Sequence, residues 1–177
     1  MELLEAEQLA MRLMEEHEVF DRGWSFEWSN AKRQLGSVQL RGGRDAVGRP
    51  ITRKLIKLSR HLVRLNDVEQ VRDTILHEIA HVLAGLDHGH DEKWRQTCLR
   101  IGAKPSRTAD ERIKLVECRF LLICGCCERV LARRHRRMGR NRLSRSWCKF
   151  CGRESKGTLW YQDSADEPEE VKQGGVQ

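Results

Sequence analysis

The chain has 177 residues, enough for one main domain with its own core and a small appendage. Hydrophobic residues make up 39% and charged residues 33%, and no apolar run reaches the roughly 20 residues that cross a bilayer. This excludes a helical membrane protein, and the acidic opening "MELLEAEQLAMRLMEEHEVF" lacks the basic stub and apolar block of a secretory signal. The net charge of +7 is unevenly placed. Residues 118–156 carry twelve Lys and Arg against two Glu, residues 157–177 carry five acids against one Lys, and the first 117 residues are close to neutral. Concentrated basic charge predicts a polyanionic partner. Seven cysteines without a signal predict a reducing compartment and metal chemistry rather than disulfides. The expected location is cytoplasmic and nucleoid-associated, or nuclear in a eukaryote.

Residues 3–19 space Leu3, Ala6, Leu9, Ala10, Leu13 and Met14 for an amphipathic helix. "GWSFEW" and "LGSVQL" alternate as half-buried strands do, and "RGGRDAVGRP" reads as a loop. "ITRKLIKLS" predicts a third strand, although its Leu55-Ile56 pair breaks the alternation. In "NDVEQVRDTILHEIAHVLAG", Asn66 with Glu69 predicts a helix start, and Val68, Val71, Ile75, Ile79 and Val82 predict one buried stripe. Gly85 is a stop. A further helix is expected from about Asp91 to Ile101, with His90 at its cap and Gly102 and Pro105 beyond it.

His77 and His81 stand at i and i+4, on the side of the core helix opposite its apolar stripe, with Glu78 beside them. In an H-E-x-x-H helix the two histidines bind zinc and the Glu is the general base toward the attacking water. A catalytic zinc needs a third protein ligand and an open position. His88 and His90 follow the Gly85 stop as candidates, and both remain open at this point. Farther on, Cys124 with Cys127 and Cys148 with Cys151 form two C-x-x-C knuckles, a structural four-cysteine zinc spacing in which Cys126 is an alternative to Cys124. Cys98 and Cys118 read as ordinary buried thiols.

Between the knuckles, Arg133, Arg134, Arg136, Arg137, Arg140, Arg142 and Arg145 suit phosphate contacts and predict sequence-independent, salt-sensitive DNA binding. Trp147, Phe150, Trp160 and Tyr161 are candidates either for base stacking or for a small core.

The run "LIKLSRHLVRLNDVEQVRDTILHEIAH", together with "WSFEW", the "LG" before the next strand and the basic cysteine-rich end, resembles the SprT-like zinc metallopeptidases, which include the Spartan DNA–protein-crosslink proteases. The resemblance implies an α+β zincin-like domain, residues 1–115, with a small sheet over the HExxH helix. Residues 116–161 would then be a basic zinc ribbon and 162–177 a disordered acidic tail. It implies His90, four residues before Trp94, as third ligand beside His77 and His81, with Glu78 as base, although Asp91 stands where Gly often follows that His. The implied cofactors are two zinc ions per chain, one catalytic and one structural. The implied activity is that of an endopeptidase, a hydrolase acting on DNA-associated or crosslinked proteins. Its expected partners are a protein substrate and DNA, with no membrane, and the expected state is a monomer. An edge strand near "ITRKLIKLS" is the expected place for an extended substrate backbone. The alternative function is a non-enzymatic nucleic-acid-binding protein with a structural HExxH zinc.

Overall fold

The computed structural model describes residues 1–106 and 113–166. The chain divides into two compact units, Met1–Val116 and Glu117–Gln177. Its architecture is α+β. Among the described residues no helix is long and apolar enough to cross a membrane.

The first unit opens with α1, Leu3–Glu16, which buries Ala6, Leu9, Ala10, Leu13 and Met14. That spacing puts one apolar stripe on the core and leaves the glutamates in water. Three strands follow: β1 at Trp24–Ser29, β2 at Gly36–Arg44 and β3 at Pro50–Ser59. The sheet order is β1-β3-β2, with β3 parallel to β1 and antiparallel to β2. β3 is therefore central, which corrects the expectation that "ITRKLIKLS" lies at a free edge. From Lys54 to Leu58 both of its ladders are taken, and β2 is an edge strand. A central position also explains the broken alternation. Leu55 and Ile56 point to opposite faces and both are buried. β2 runs on through Arg41–Arg44, so only Asp45–Arg49 of the expected loop forms the turn.

After β3 the chain enters α2, Arg60–Leu65, a short helix absent from the sequence reading, where Ser59 caps the start by accepting from Leu62 N. The long helix α3, Val68–Ala84, starts one residue later than expected. Asp67 is its cap and forms a reciprocal box with Gln70. Asn66 instead turns inward. Its amide donates to Leu62 O and Lys114 O and accepts from Lys114 N, tying the 113–116 segment to the core. Val68 is exposed, so the buried stripe begins at Val71 and continues through Ile75, Ile79 and Val82. Gly85 ends α3 at φ +103, a conformation that a side chain strains. After a 3-10 turn at Leu86–His88, α4 spans Glu92–Arg100. Its cap is Asp91, which accepts from Trp94 N, and not His90.

The second unit is a three-stranded antiparallel sheet ordered β5-β4-β6, with β4 at Phe120–Cys124, β5 at Val130–Arg134 and β6 at Leu159–Asp163. A short helix α5, Arg140–Leu143, follows β5. The core is small: Leu122, Cys124, Cys148 and Leu159 are buried, with Tyr161, Leu131 and Met138 packed against them. β6 takes up the first residues of the segment read as an acidic tail, and residues 167–177 of that tail lie outside the described residues.

Candidate functional site

α3 carries His77 and His81 one turn apart, and the turn before α4 returns His90 to them. The three Nε2 atoms form a nearly equilateral triangle: 3.3 Å from His77 to His81, 3.2 Å from His81 to His90 and 3.2 Å from His90 to His77. A tetrahedral ion with zinc–nitrogen bonds of about 2.0–2.1 Å holds its nitrogen ligands about 3.3–3.4 Å apart. The triangle fits that spacing. Burial, followed by the His81 and His90 imidazoles, lowers His77 to about 4, and burial with His90 lowers His81 to about 4. Both rings are therefore neutral near pH 7, the form that binds metals.

His88 stands outside the triad. Its Nδ1 lies 2.8 Å from Asp91 Oδ2, and Lys93 Nζ lies 3.0 Å from its Nε2. Both ring nitrogens are spent, one on a carboxylate and one on an ammonium. Asp91 thus caps α4 and clamps His88, which holds the Gly85–Asp91 turn that presents His90. Trp94 is completely buried, and its ring lies 4.8, 5.3 and 4.5 Å from the rings of His77, His81 and His90. It forms a fully buried wall against which all three imidazoles pack.

Glu78 is only 7% exposed. Burial pushes its carboxyl up to about 8, with the Val38 backbone amide pulling the other way. A nearby cation favours the ionised form. The room for this carboxylate comes from Gly36 on β2: a Cβ there would lie 2.6 Å from Thr74 Cγ2, 2.8 Å from Glu78 Oε1 and 2.9 Å from Glu78 Cγ. The edge strand therefore approaches α3 closely only because residue 36 has no side chain. The sequence reading missed this role, although an isolated Gly at a strand start signals close approach. Gly36, Val38, His77, Glu78, His81 and His90 line a cleft of about 690 Å³, with Leu35, Leu86, Ile113 and Leu115 as its apolar lining. The size is that of a ligand-binding cleft.

In the second unit Cys124, Cys127, Cys148 and Cys151 converge, with all four Sγ atoms within 4.8 Å of one another. Cys124 to Cys151 and Cys127 to Cys148 are each 3.9 Å apart. Zinc–sulfur bonds of about 2.3 Å place tetrahedral thiolates about 3.8 Å apart. The knuckles are built as metal knuckles are: Cys126 N donates to Cys124 Sγ and Phe150 N to Cys148 Sγ, each at 3.4 Å. Backbone amides, that of Cys127 first, hold Cys124 below the usual thiol range, while the neighbouring thiols push Cys151 up. Four thiols so close ionise together only around a cation. Cys126 is exposed, 3.5 Å from Thr158 Oγ1, and outside the cluster. Of the other two cysteines, Cys98 is buried and Cys118 lies 3.7 Å from His135 Nε2.

The predicted phosphate-binding arginines do not form one row. Arg133 and Arg134 lie half-buried on β5, while Arg136, Arg137, Arg140, Arg142 and Arg145 are exposed on the following turn, α5 and its exit. Arg137 sits 4.7 Å over the Phe120 ring. Tyr161 joins the small core and accepts from Met138 N, whereas Trp147, Phe150 and Trp160 stay exposed. Arg129 and Lys149 flank Phe150 at 4.7 and 4.8 Å.

Two histidines and a glutamate on one helix, a third histidine from the next turn and a small sheet alongside define an α+β domain with an HExxH-type metal site. A model of the SprT-like family matches residues 6–114, and the chain belongs to that family. No curated protein matches the chain. The family match covers the first unit, so the four-cysteine cluster, consistent with a zinc ribbon, is identified by its own geometry.

Proposed function

We propose that the protein is a zinc-dependent endopeptidase that acts on DNA-associated or DNA-crosslinked proteins as a monomer, in the cytoplasm or, in a eukaryote, the nucleus. The observation that carries the peptidase reading is the pairing of an open three-histidine site with a buried carboxylate one residue from a ligand. His77, His81 and His90 hold the catalytic ion. When bound there, zinc lowers the pKa of a water to about 7 and polarises a carbonyl. Glu78, held by burial and the Val38 amide, takes a proton from the attacking water and passes it to the leaving amine. Trp94 keeps the three imidazoles aimed, and Leu35 and Leu86 give the cleft an apolar lining. β2 supplies the unpaired edge along which an extended polypeptide adds as a strand, from Gly36 to Val38 beside Glu78. A purely structural zinc has no need of Glu78, which disfavours a non-enzymatic role.

The second zinc is structural in this reading, and its unit binds DNA through the exposed arginines of the 133–145 segment. The support is the net charge of +10 over residues 118–156 and the exposure of five of those side chains. The test is cleavage of a basic DNA-binding protein by the purified chain, with and without duplex DNA. Cleavage that requires zinc and is accelerated by DNA supports the proposal. Zinc-dependent cleavage that DNA leaves unchanged refutes the DNA-associated substrate, and no cleavage under any condition refutes the peptidase.

A further inference from the structure

β2 and β3 extend beyond the sheet as a two-stranded arm. β1 joins β3 only from Lys54 onward, so among the described residues Arg41–Arg44 and Pro50–Arg53 pair only with each other. Residues 40–54 contain five basic side chains and one acid. Three of the five have internal duties. Arg44 donates to Gly48 O, Arg49 pairs with Asp45 at 3.5 Å and Lys54 donates to Arg22 O. The other two, Arg41 and Arg53, stand directly opposite each other in the ladder and have no hydrogen bond or ion pair to any described residue. They share the face of Gln39 and Leu55, away from the core-facing Ile56 and Leu58.

Like charges directly across a ladder are destabilising. The arm adds to this cost with Gly42 and Gly43 inside the strand, since mid-strand glycines weaken a sheet unless another backbone approaches there. A Cβ at Gly42 would meet nothing, so the space beside it is open. Among the described residues no acid pairs with Arg41 or Arg53, and a polyanion would offset their repulsion.

We propose that the β2–β3 arm is a second nucleic-acid contact, in which Arg41 and Arg53 bind backbone phosphates of a duplex and the glycines allow close approach. Four paired residues give an arm about 13 Å long. A two-stranded ribbon of this kind fits a major groove about 12 Å wide. The tip, Asp45–Arg49, has one exposed large apolar side chain, Val47, beside an acid, which disfavours insertion into a lipid surface. β2 is also the strand whose Gly36–Val38 segment lines the cleft, so a duplex on the arm stands next to the polypeptide-binding edge on one continuous strand. The proposal does not depend on the peptidase reading.

The test is equilibrium binding of the full chain to a 20-base-pair DNA duplex, by fluorescence anisotropy across about 50–200 mM salt. R41Q/R53Q is expected to lower affinity by roughly tenfold or more near 0.1 M salt and to make the log–log salt slope shallower by about 1.8. R41K/R53K keeps the slope, and the melting temperature of R41Q/R53Q stays level or rises. Unchanged affinity and slope in R41Q/R53Q overturn the proposal, even if R136Q/R137Q weakens binding and so upholds the cysteine-ribbon contact. A loss confined to acidic polypeptide or anionic vesicles, with duplex binding intact, also overturns it. A melting temperature several degrees lower in R41Q/R53Q overturns it too, by showing the pair to be structural.

Discussion

Gly36→Ala tests whether the edge strand positions the catalytic carboxylate. The added methyl carbon would stand 2.6–2.9 Å from Thr74 and Glu78. Carbon contacts settle near 3.5–4.0 Å, so strand or side chain must move by about 1 Å. Overpacking of this size costs about 1–3 kcal/mol. For a unit of this length each kcal/mol lowers the melting temperature by roughly 3–6 °C. A displacement of about 1 Å at a reacting group costs about 100-fold in rate. The expected variant keeps its zinc, melts lower and loses about two orders of magnitude in kcat/KM on a peptide substrate. Adding Glu78→Gln to Gly36→Ala then costs much less than Glu78→Gln alone, because the carboxylate is already out of place. Wild-type kcat/KM and melting temperature in Gly36→Ala, or full additivity of the two changes, refute the reasoning.

Elemental analysis of the intact protein is expected to give two zinc ions per chain, falling to one in Cys148→Ser/Cys151→Ser with the histidine site still loaded. His90→Ala lowers metal affinity by at least about 100-fold, since a ligand lost costs more than a supporting contact. His88→Ala keeps the metal stoichiometry, because its nitrogens are bonded to Asp91 and Lys93. The pH dependence of the chelator-treated protein follows from Glu78, raised from 4.5 to about 8. The folded state then binds the extra proton, so this group's contribution to stability is complete below pH 4.5 and is lost as pH rises toward 8. His77 and His81, lowered to about 4, act oppositely and reduce stability as pH falls from 6.5 to 4. Between pH 6.5 and 8 Glu78 makes stability fall as pH rises, while Cys124, lowered to about 6, acts oppositely, so the difference between wild-type and Glu78→Gln thermal melts in that range should isolate a decline owed to Glu78.

The helices α1 and α3 are legible in the sequence because apolar spacing over fourteen or more residues marks a face whatever packs on it. α2 is not, because six residues hold too few turns to show a period, and its start rests on one hydroxyl, that of Ser59. The central place of β3 is equally hidden. Strand neighbours are long-range partners, and the one local trace is the Leu55-Ile56 pair, which breaks alternation because both faces are covered. The metal site divides in the same way. His77, Glu78 and His81 follow from helix periodicity, whereas His88 and His90 stand two apart in a turn whose direction depends on Gly89 at φ +51 and on the Asp91 clamp. The knuckle pair Cys124 and Cys126 also differs only in which side of a tight turn each thiol takes. Gly36 shows the limit most clearly. Its role is defined by Thr74 and Glu78 on another element, and no local pattern names them.

The central claim is that Glu78 works as a base beside a zinc held by three histidines. Its most direct test is peptide cleavage by the wild type and by Glu78→Gln at equal zinc content. The account predicts that the variant retains its zinc and its DNA affinity and loses at least about 100-fold in rate, as expected for removal of a general base. Equal cleavage by the two zinc-loaded proteins would contradict it.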